Sequence, residues 1–125
     1  MIYGIGIDIV KTERMKKAVE RWGDRFLRRV FTGKEIAYAL EKKSPSLSFS
    51  VRFAAKEALI KAIGARIPVS LTDIEVENAE GGRPFISVKG RLEAFFREEA
   101  IQCAHLSLSH ERDYGVACVV LEKYP

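Results

Sequence analysis

The 125-residue sequence lacks any apolar run approaching the roughly 20 residues that a membrane-spanning helix requires. The apolar stretch at residues 115–121 is long enough only for a strand. The opening residues, M-I-Y-G-I-G-I-D-I-V, contain no basic region and no small-residue cleavage site, so they do not predict a signal peptide. We therefore expect a protein that does not associate with membranes.

Cysteine is scarce, with only Cys103 and Cys118 in the chain. The two residues form neither a C-x-x-C pair nor a metal-ligand cluster in the sequence. Each lies in an apolar segment, which predicts two small buried thiols. Because no secretion signal accompanies them, a reducing cytoplasmic location is expected.

Motifs of several large enzyme classes are also missing. The sequence contains no G-x-x-x-x-G-K-[ST] phosphate loop, no H-E-x-x-H zinc motif and no nucleophile elbow around a serine. Gly4 and Gly6 lack the third glycine of a dinucleotide-binding fingerprint, and Asp8 with a charged helix follows them. Any chemistry must therefore rest on other residues.

The composition is that of a globular protein, with 47% hydrophobic, 10% aromatic and 30% charged residues. Periodicity predicts strands at 2–9, 70–78, 85–88, 103–109 and 114–122, and helices at 13–30, 33–42, 49–63 and 92–100. Thr32 and Glu35 have the spacing of a capping box, and residues 42–48 indicate a loop. This order predicts an α+β fold, with an antiparallel sheet packed on helices in a single domain over residues 1–125.

The first predicted strand has two unlike faces. One carries Tyr3, Ile5, Ile7 and Ile9, and is expected to face the core. The other carries two glycines and then Asp8. Glycines on one strand face often mark a close approach by a ligand or by another strand.

All of the excess positive charge lies in one segment. Residues 11–29 hold eight basic and three acidic residues, a charge of +5 in a chain of net charge +4. The predicted helix has an apolar stripe of Met15, Val19, Trp22, Phe26 and Val30. Beside it runs a basic stripe of Arg14, Lys17, Arg21, Arg25 and Arg28.

We interpret the basic stripe as a docking surface for an acidic partner, with a merely solvated face as the alternative. Nucleic acid is disfavoured, because Trp22 and Phe26 are expected in the core and not free to stack on bases.

Two carboxylates and a lysine are the strongest candidates for chemistry. Asp8 ends the first strand, and Glu57 lies on a central helix one turn before Lys61. Carboxylates from two elements can converge on a hard cation such as Mg²⁺, with the lysine reaching a phosphate. The alternatives are an exposed Glu57–Lys61 salt bridge, which spacing alone favours, and a helix cap at Asp8.

His110, just past a strand, could bind phosphate or exchange a proton, or be an ordinary surface histidine.

Four motifs together resemble those of the holo-acyl-carrier-protein synthases, the short bacterial type of 4′-phosphopantetheinyl transferase. The family's opening resembles G-I-G-I-D-I-V at residues 4–10, and its central helix resembles R-F-A-A-K-E-A at 52–58 followed by Lys61. The family's G-K-P-Y turn is similar to G-R-P-F at 82–85, and its C-terminal motif resembles S-L-S-H at 107–110. The resemblance spans residues 1 to about 122 in the family's order.

The sequence departs from the family pattern at two positions. Lys11 stands where many members carry an acid. Larger relatives carry a third carboxylate where Val10 stands, so the resemblance implies that a water fills that metal position. Neither departure changes the assignment.

The resemblance implies a magnesium-dependent transferase of the 4′-phosphopantetheinyl transferase fold. Its reaction moves 4′-phosphopantetheine from coenzyme A to a serine of apo acyl carrier protein, releasing adenosine 3′,5′-bisphosphate, in fatty acid biosynthesis and hence lipid metabolism. Asp8 and Glu57 are the implied Mg²⁺ ligands, and Glu57 the implied base, acting directly or through a metal-bound water. Lys61 is implied to stabilise or protonate the leaving bisphosphate.

Substrate and partner contacts follow from the same resemblance. It implies that coenzyme A is bound by Arg52, His110, Gly82, Arg83 and Pro84. The basic stripe suits docking of the acidic carrier protein. A homotrimer with active sites between subunits is expected, with the Gly4/Gly6 face and the apolar C-terminal strand as candidate contact surfaces.

Overall fold

A computed structural model of the chain describes residues 1–124. Its strands are β1 (Ile2–Lys11), β2 (Ile74–Asn78), β3 (Pro84–Val88), β4 (Ile101–His110) and β5 (Tyr114–Lys123). Its helices are α1 (Thr12–Val30), α2 (Gly33–Leu40), α3 (Pro45–Ala62) and α4 (Gly90–Glu98), with a short 3₁₀ turn at Leu71–Asp73. The expected α+β class is confirmed. Among residues 1–124, no helix is long and apolar enough to span a membrane.

The sheets are antiparallel, as predicted. A three-stranded sheet has the order β1-β5-β4, and β2 and β3 form a separate hairpin. Helix α3 packs across one face of the three-stranded sheet, so its alanines and Leu59 meet buried residues of β5, including Val119 and Leu121. This contact brings the centre of α3 beside β1, and so places the two motif segments together.

The expected orientation of β1 is wrong. A Cβ atom on Gly4 would overlap the carbonyl oxygen of Ala62, and one on Gly6 would overlap that of Ala58, so the glycine face packs on α3. The opposite face is therefore outward, with Ile5 65%, Ile7 62% and Ile9 61% exposed. Alternation identifies two faces of a strand but does not say which one a helix covers.

Helix α1 is interrupted at Gly23. Gly23 has φ 61° and ψ −143°, which breaks the helical repeat. Met15 and Val30 are buried as expected, but Trp22 is 59% exposed and Leu27 is buried. The prediction that Trp22 belongs to the core is therefore wrong.

The ends of three helices confirm or correct the predicted boundaries. The capping box of Thr32 and Glu35 is confirmed at the start of α2. Helix α3 begins at Pro45 with Ser44 as its cap, so the predicted loop over 42–48 is too long. Helix α4 ends at Glu98, two residues before the predicted end, and Ala100 is exposed with φ 58°.

A buried ion pair joins α2 to α3. The Nζ atom of Lys56 lies 2.7 Å from Glu35 Oε1, and both side chains are 0% exposed. Lys56 also donates to the carbonyl oxygens of Val30 and Leu71, at 2.7 and 2.9 Å. Burial lowers the pKa of Lys56, and the charge of Glu35 opposes that shift. The pair fixes the helix that carries Glu57, and no sequence pattern indicated it.

Candidate active site

Asp8 and Glu57 line one cavity of about 460 Å³, between the end of β1, helix α1 and the middle of α3. Asp8 reaches it because the glycine face of β1 lies against α3. Glu57 reaches it from the helix that the buried Lys56 anchors. The remaining wall consists of Ile9, Val10, Arg14, Met15, Ala18, Phe26 and Phe53.

Lys61 pairs with Asp8 and not with Glu57. Its Nζ atom lies 3.0 Å from Asp8 Oδ1 and donates to the carbonyl oxygen of Ile7 at 3.0 Å. Within residues 1–124, no Glu57–Lys61 ion pair accompanies this contact, although their four-residue spacing allows one. The helix therefore presents the lysine to β1, and the three candidate residues lie together.

Glu57 is held in an environment that opposes its ionisation. Partial burial raises its pKa above the ordinary value, the negative charge of Asp8 raises it further, and Lys61 lowers it. Two carboxylates thus line one cavity together with Arg14, and the charge of Lys61 is directed at Asp8 from beside it. A divalent cation would relieve the remaining repulsion, so Asp8 and Glu57 fit the oxygen-ligand set that Mg²⁺ prefers.

A second cavity, of about 530 Å³, brings together most of the residues expected to bind substrate. Arg52 enters it from α3, His110 from the end of β4, and Gly82 and Pro84 from the β2–β3 turn. Arg83, from the same turn, is exposed and is not among the lining residues. Cationic side chains from Lys42 and Lys43 add positive charge to this wall.

Arg52 is the best-fixed cation of the second cavity. It is 4% exposed, its guanidinium lies 4.0 Å over the ring of Tyr38, and its Nη2 donates to Asn78 Oδ1 at 2.6 Å. Asn78 Nδ2 in turn donates to the carbonyl oxygen of Gly82 at 3.0 Å, which ties the turn to the arginine. Burial lowers the pKa of Arg52, while Tyr38 raises it. The buried Nε atom of Arg52 has no protein partner among the described residues.

Sequence reasoning missed Tyr38 and Asn78. Tyr38 lies on a short helix and Asn78 at a strand end, and neither belongs to a motif that the sequence analysis used. A buried arginine needs partners, so a search for acceptors in the turn that precedes Gly82 could have suggested Asn78.

The two cavities are separate within one chain. The first holds Asp8 and Glu57 with Lys61 on Asp8, and the second holds Arg52 and His110. They share no lining residue. The residues expected to perform chemistry are thus not joined, in one copy, to those expected to hold the substrate.

The basic stripe of α1 is exposed along its length. Arg14 also lines the first cavity, so the stripe begins at that cavity. Arg28 pairs with Asp24 at 2.9 Å on the surface, so one member of the stripe has an acidic partner. Trp22 stands exposed beside the guanidinium of Arg21, 4.9 Å from it.

Comparison with known proteins identifies the family. The profile of the 4′-phosphopantetheinyl transferase superfamily matches residues 4–119. A holo-[acyl-carrier-protein] synthase of Halothermothrix orenii is 42% identical over 124 residues, which cover 98% of this chain and 99% of the relative.

Solved structures agree with the sequence comparison. The crystal structure of the holo-[acyl-carrier-protein] synthase from Neisseria meningitidis has a TM-score of 0.91 at 35% identity, covering 98% of this chain and 100% of that one. The Helicobacter pylori holo-[acyl-carrier-protein] synthase in complex with coenzyme A has a TM-score of 0.83 at 33% identity, covering 94% and 99%. The chain therefore belongs to the 4′-phosphopantetheinyl transferase superfamily and, within it, to the holo-[acyl-carrier-protein] synthases. The family resemblance drawn from the motifs is confirmed.

Proposed function

We propose that this chain transfers 4′-phosphopantetheine from coenzyme A to a serine of apo acyl carrier protein in a Mg²⁺-dependent reaction. The products are holo acyl carrier protein, which serves fatty acid biosynthesis, and adenosine 3′,5′-bisphosphate. The observation that carries the proposal is the shared cavity of Asp8 and Glu57 with Lys61 held 3.0 Å from Asp8. The reaction takes place in the cytoplasm, where the two free cysteines, Cys103 and Cys118, stay reduced.

Asp8 and Glu57 are the residues that would hold Mg²⁺. When bound, the ion supplies positive charge that neutralises the pyrophosphate of coenzyme A as the phosphoryl group is transferred. Val10 also lines the cavity, but its side chain has no atom that can bind a metal ion. The protein would therefore supply two carboxylate ligands, Asp8 and Glu57.

Glu57 and Lys61 have complementary roles in proton transfer. A carboxylate with a raised pKa is a better base, so Glu57 is suited to accept the proton of the carrier serine, directly or through one water. Lys61 can stabilise or protonate the leaving bisphosphate, since it is half exposed and needs only a small movement from Asp8. The nucleophile belongs to the carrier protein, so this chain needs no activated serine or cysteine.

The second cavity is suited to the phosphates and nucleotide of coenzyme A. Arg52 and His110 are the groups that would contact phosphate, and Gly82 and Pro84 would line the nucleotide, with Arg83 reaching it from the exposed part of the same turn. The stacking on Tyr38 and the bond to Asn78 keep the Arg52 guanidinium in place before substrate arrives. Such preorganisation lowers the cost of binding.

A homotrimer would unite the two cavities, with the first cavity of one copy meeting the second of its neighbour. The outward face of the three-stranded sheet offers the contact surface, because Ile5, Ile7 and Ile9 are paired there with Val120, Cys118 and Val116 of β5. The Gly4/Gly6 face is covered by α3, so the expectation that it contacts a neighbouring subunit is wrong.

The basic stripe of α1 would dock the acidic carrier beside the first cavity, which Arg14 lines. Charges of this kind mainly raise the association rate and set orientation. The exposure of Trp22 removes the sequence-based objection to nucleic acid, but membership of the holo-[acyl-carrier-protein] synthases favours a protein partner.

Mass spectrometry of apo acyl carrier protein incubated with this chain, coenzyme A and Mg²⁺ tests the function. We expect a mass gain of one phosphopantetheine group that disappears when a chelator replaces Mg²⁺. An unchanged carrier mass under all conditions would refute the transferase, and full transfer in chelator would refute the metal requirement.

A further inference from the structure

A cysteine, a histidine and a glutamate meet at one end of the three-stranded sheet. Cys103 on β4 is paired directly with Glu122 on β5, and His105 lies two residues along β4 on the same face. The His105 Nε2 atom is 2.9 Å from Glu122 Oε1, and one ligand atom from each of the three lies within 4.8 Å of the others. The fold therefore brings Cys103 beside a histidine and a glutamate, which no spacing in the sequence indicated.

The cluster is distinct from the active site. None of its three members lines the first or the second cavity. All three come from one chain, and they share the outward face of the sheet with the proposed trimer contact, because His105 is paired with Val120. The pairing of β4 with β5 fixes their backbones, so only side-chain rotations are needed to bring the three groups onto one ion.

The donor set selects a class of ion. Thiolate and imidazole suit Zn²⁺ and related transition ions, whereas Mg²⁺ takes oxygen ligands. A tetrahedral Zn²⁺ with Zn–N near 2.0 Å and Zn–S near 2.3 Å separates its ligand atoms by roughly 3.4–3.6 Å. The observed cluster is already close to that size. The hydroxyl of Tyr124 donates to Glu122 Oε1 at 3.4 Å and lies 4.0 Å from Cys103 Sγ, so it can orient the carboxylate from outside.

We propose that Cys103 Sγ, His105 Nε2 and the Glu122 carboxylate form a binding site for a thiophilic divalent metal ion of the Zn²⁺ class. The Cys103 thiol loses its proton to solvent when the ion binds. Three protein ligands leave a fourth position for water or for a small exogenous ligand, as in open zinc sites. The site is separate from the Asp8–Glu57 pair and binds a different class of metal.

Titration of chelator-treated protein with Co²⁺ tests the proposal, because thiolate ligation of Co²⁺ produces a charge-transfer absorption that oxygen ligands do not. We expect this absorption to saturate at one Co²⁺ per chain and to disappear when Zn²⁺ is added. Binding of Co²⁺ to Asp8 and Glu57 would give no such band. Wild-type protein that shows no thiolate band would overturn the proposal.

Matched variants identify the ligands. Loss of a residue that only hydrogen-bonds to a metal ligand weakens metal binding about 10–100-fold. Cys103→Ser removes a ligand itself, so it should weaken Zn²⁺ binding by at least about 100-fold. Cys118→Ser is the control, because Cys118 is the other free cysteine, lies on β5 and is outside the cluster. Glu122→Gln, which keeps the shape of the side chain, should weaken binding while retaining the thiolate band at higher Co²⁺. Unchanged Zn²⁺ affinity in Cys103→Ser, or loss of the band in Cys118→Ser alone, would contradict the assignment.

Discussion

Lys61 on α3 and Asp8 on β1, which are 53 residues apart in the sequence, form an ion pair with Nζ 3.0 Å from Oδ1. The pair directs the positive charge of Lys61 to Asp8, so this charge offsets the negative charge of Glu57 less strongly. As a result, burial and the charge of Asp8 together raise the pKa of Glu57.

Replacing Glu57 with glutamine should stabilise the metal-free protein at neutral pH. The pKa of Glu57 is raised in the folded state, so its protonated form is favoured there, and its contribution to stability is lost as pH rises through that pKa. Above it, wild type retains an unfavourable ionised carboxylate that Glu57→Gln lacks. We expect a higher Tm for Glu57→Gln at pH 7 and no such gain well below pH 4, measured in chelator. An equal gain at both pH values would refute the electrostatic explanation.

Lys56→Met should destabilise the fold strongly, because it leaves Glu35 buried without its partner. Breaking a buried ion pair by removing one member costs about 3–5 kcal/mol. Lys61→Met on the same helix is the control, since its ion pair is partly exposed and should cost at most about 1 kcal/mol. Urea unfolding of both variants gives the comparison. Equal losses would show that the buried pair has no special role.

Much of the site was predictable because the family motifs carry Asp8, Glu57 and Lys61, and a helix laid across β1 brings them together. Which face of β1 turns inward was not predictable, because both isoleucine and glycine occur in protein interiors. The glycine face turns inward because the backbone of Ala58 and Ala62 in α3 leaves no room for a side chain there.

Other features escaped the sequence for related reasons. Trp22 has the spacing of the apolar stripe, so periodicity alone did not indicate that it is 59% exposed. The Lys56–Glu35 pair joins residues 21 positions apart, and the Cys103–Glu122 pair joins two strands, so neither has a local pattern. Periodicity in the sequence does not reveal which distant residues pair in the fold.

Reversing charge in the basic stripe should impair carrier docking. The double variant Arg21→Glu with Arg25→Glu should raise KM for the carrier by at least about tenfold, because complementary charge steers association. Coenzyme A affinity and Tm should stay near wild type, since both side chains are exposed and neither lines a site cavity. Arg91→Glu with Arg97→Glu on α4 is the control of equal charge. Similar KM values for the two double variants would indicate a merely solvated stripe.

A charge on the outward sheet face should separate the subunits. Ile7→Glu places a carboxylate among the apolar residues Ile5, Ile9 and Cys118, so we expect light scattering to show a monomer in place of a trimer, together with loss of transfer. Leu40→Glu on α2 is the control, because Leu40 is 60% exposed and lies outside that face. A wild-type monomer that is fully active, or a trimeric Ile7→Glu variant, would contradict the proposed interface.

The most direct test of the central claim measures phosphopantetheine transfer to apo acyl carrier protein by mass spectrometry for Asp8→Asn and Glu57→Gln, beside wild type and Glu98→Gln. Asn and Gln keep the shape of the side chains but remove the negative charge that would hold Mg²⁺. Glu98 is an exposed glutamate at the end of α4, outside both cavities. We predict that wild type and Glu98→Gln convert the carrier to its holo form while both site variants leave it unmodified, with circular dichroism showing that they are folded. Near-normal transfer by either folded site variant would contradict the assignment of Asp8 and Glu57 as the reaction centre.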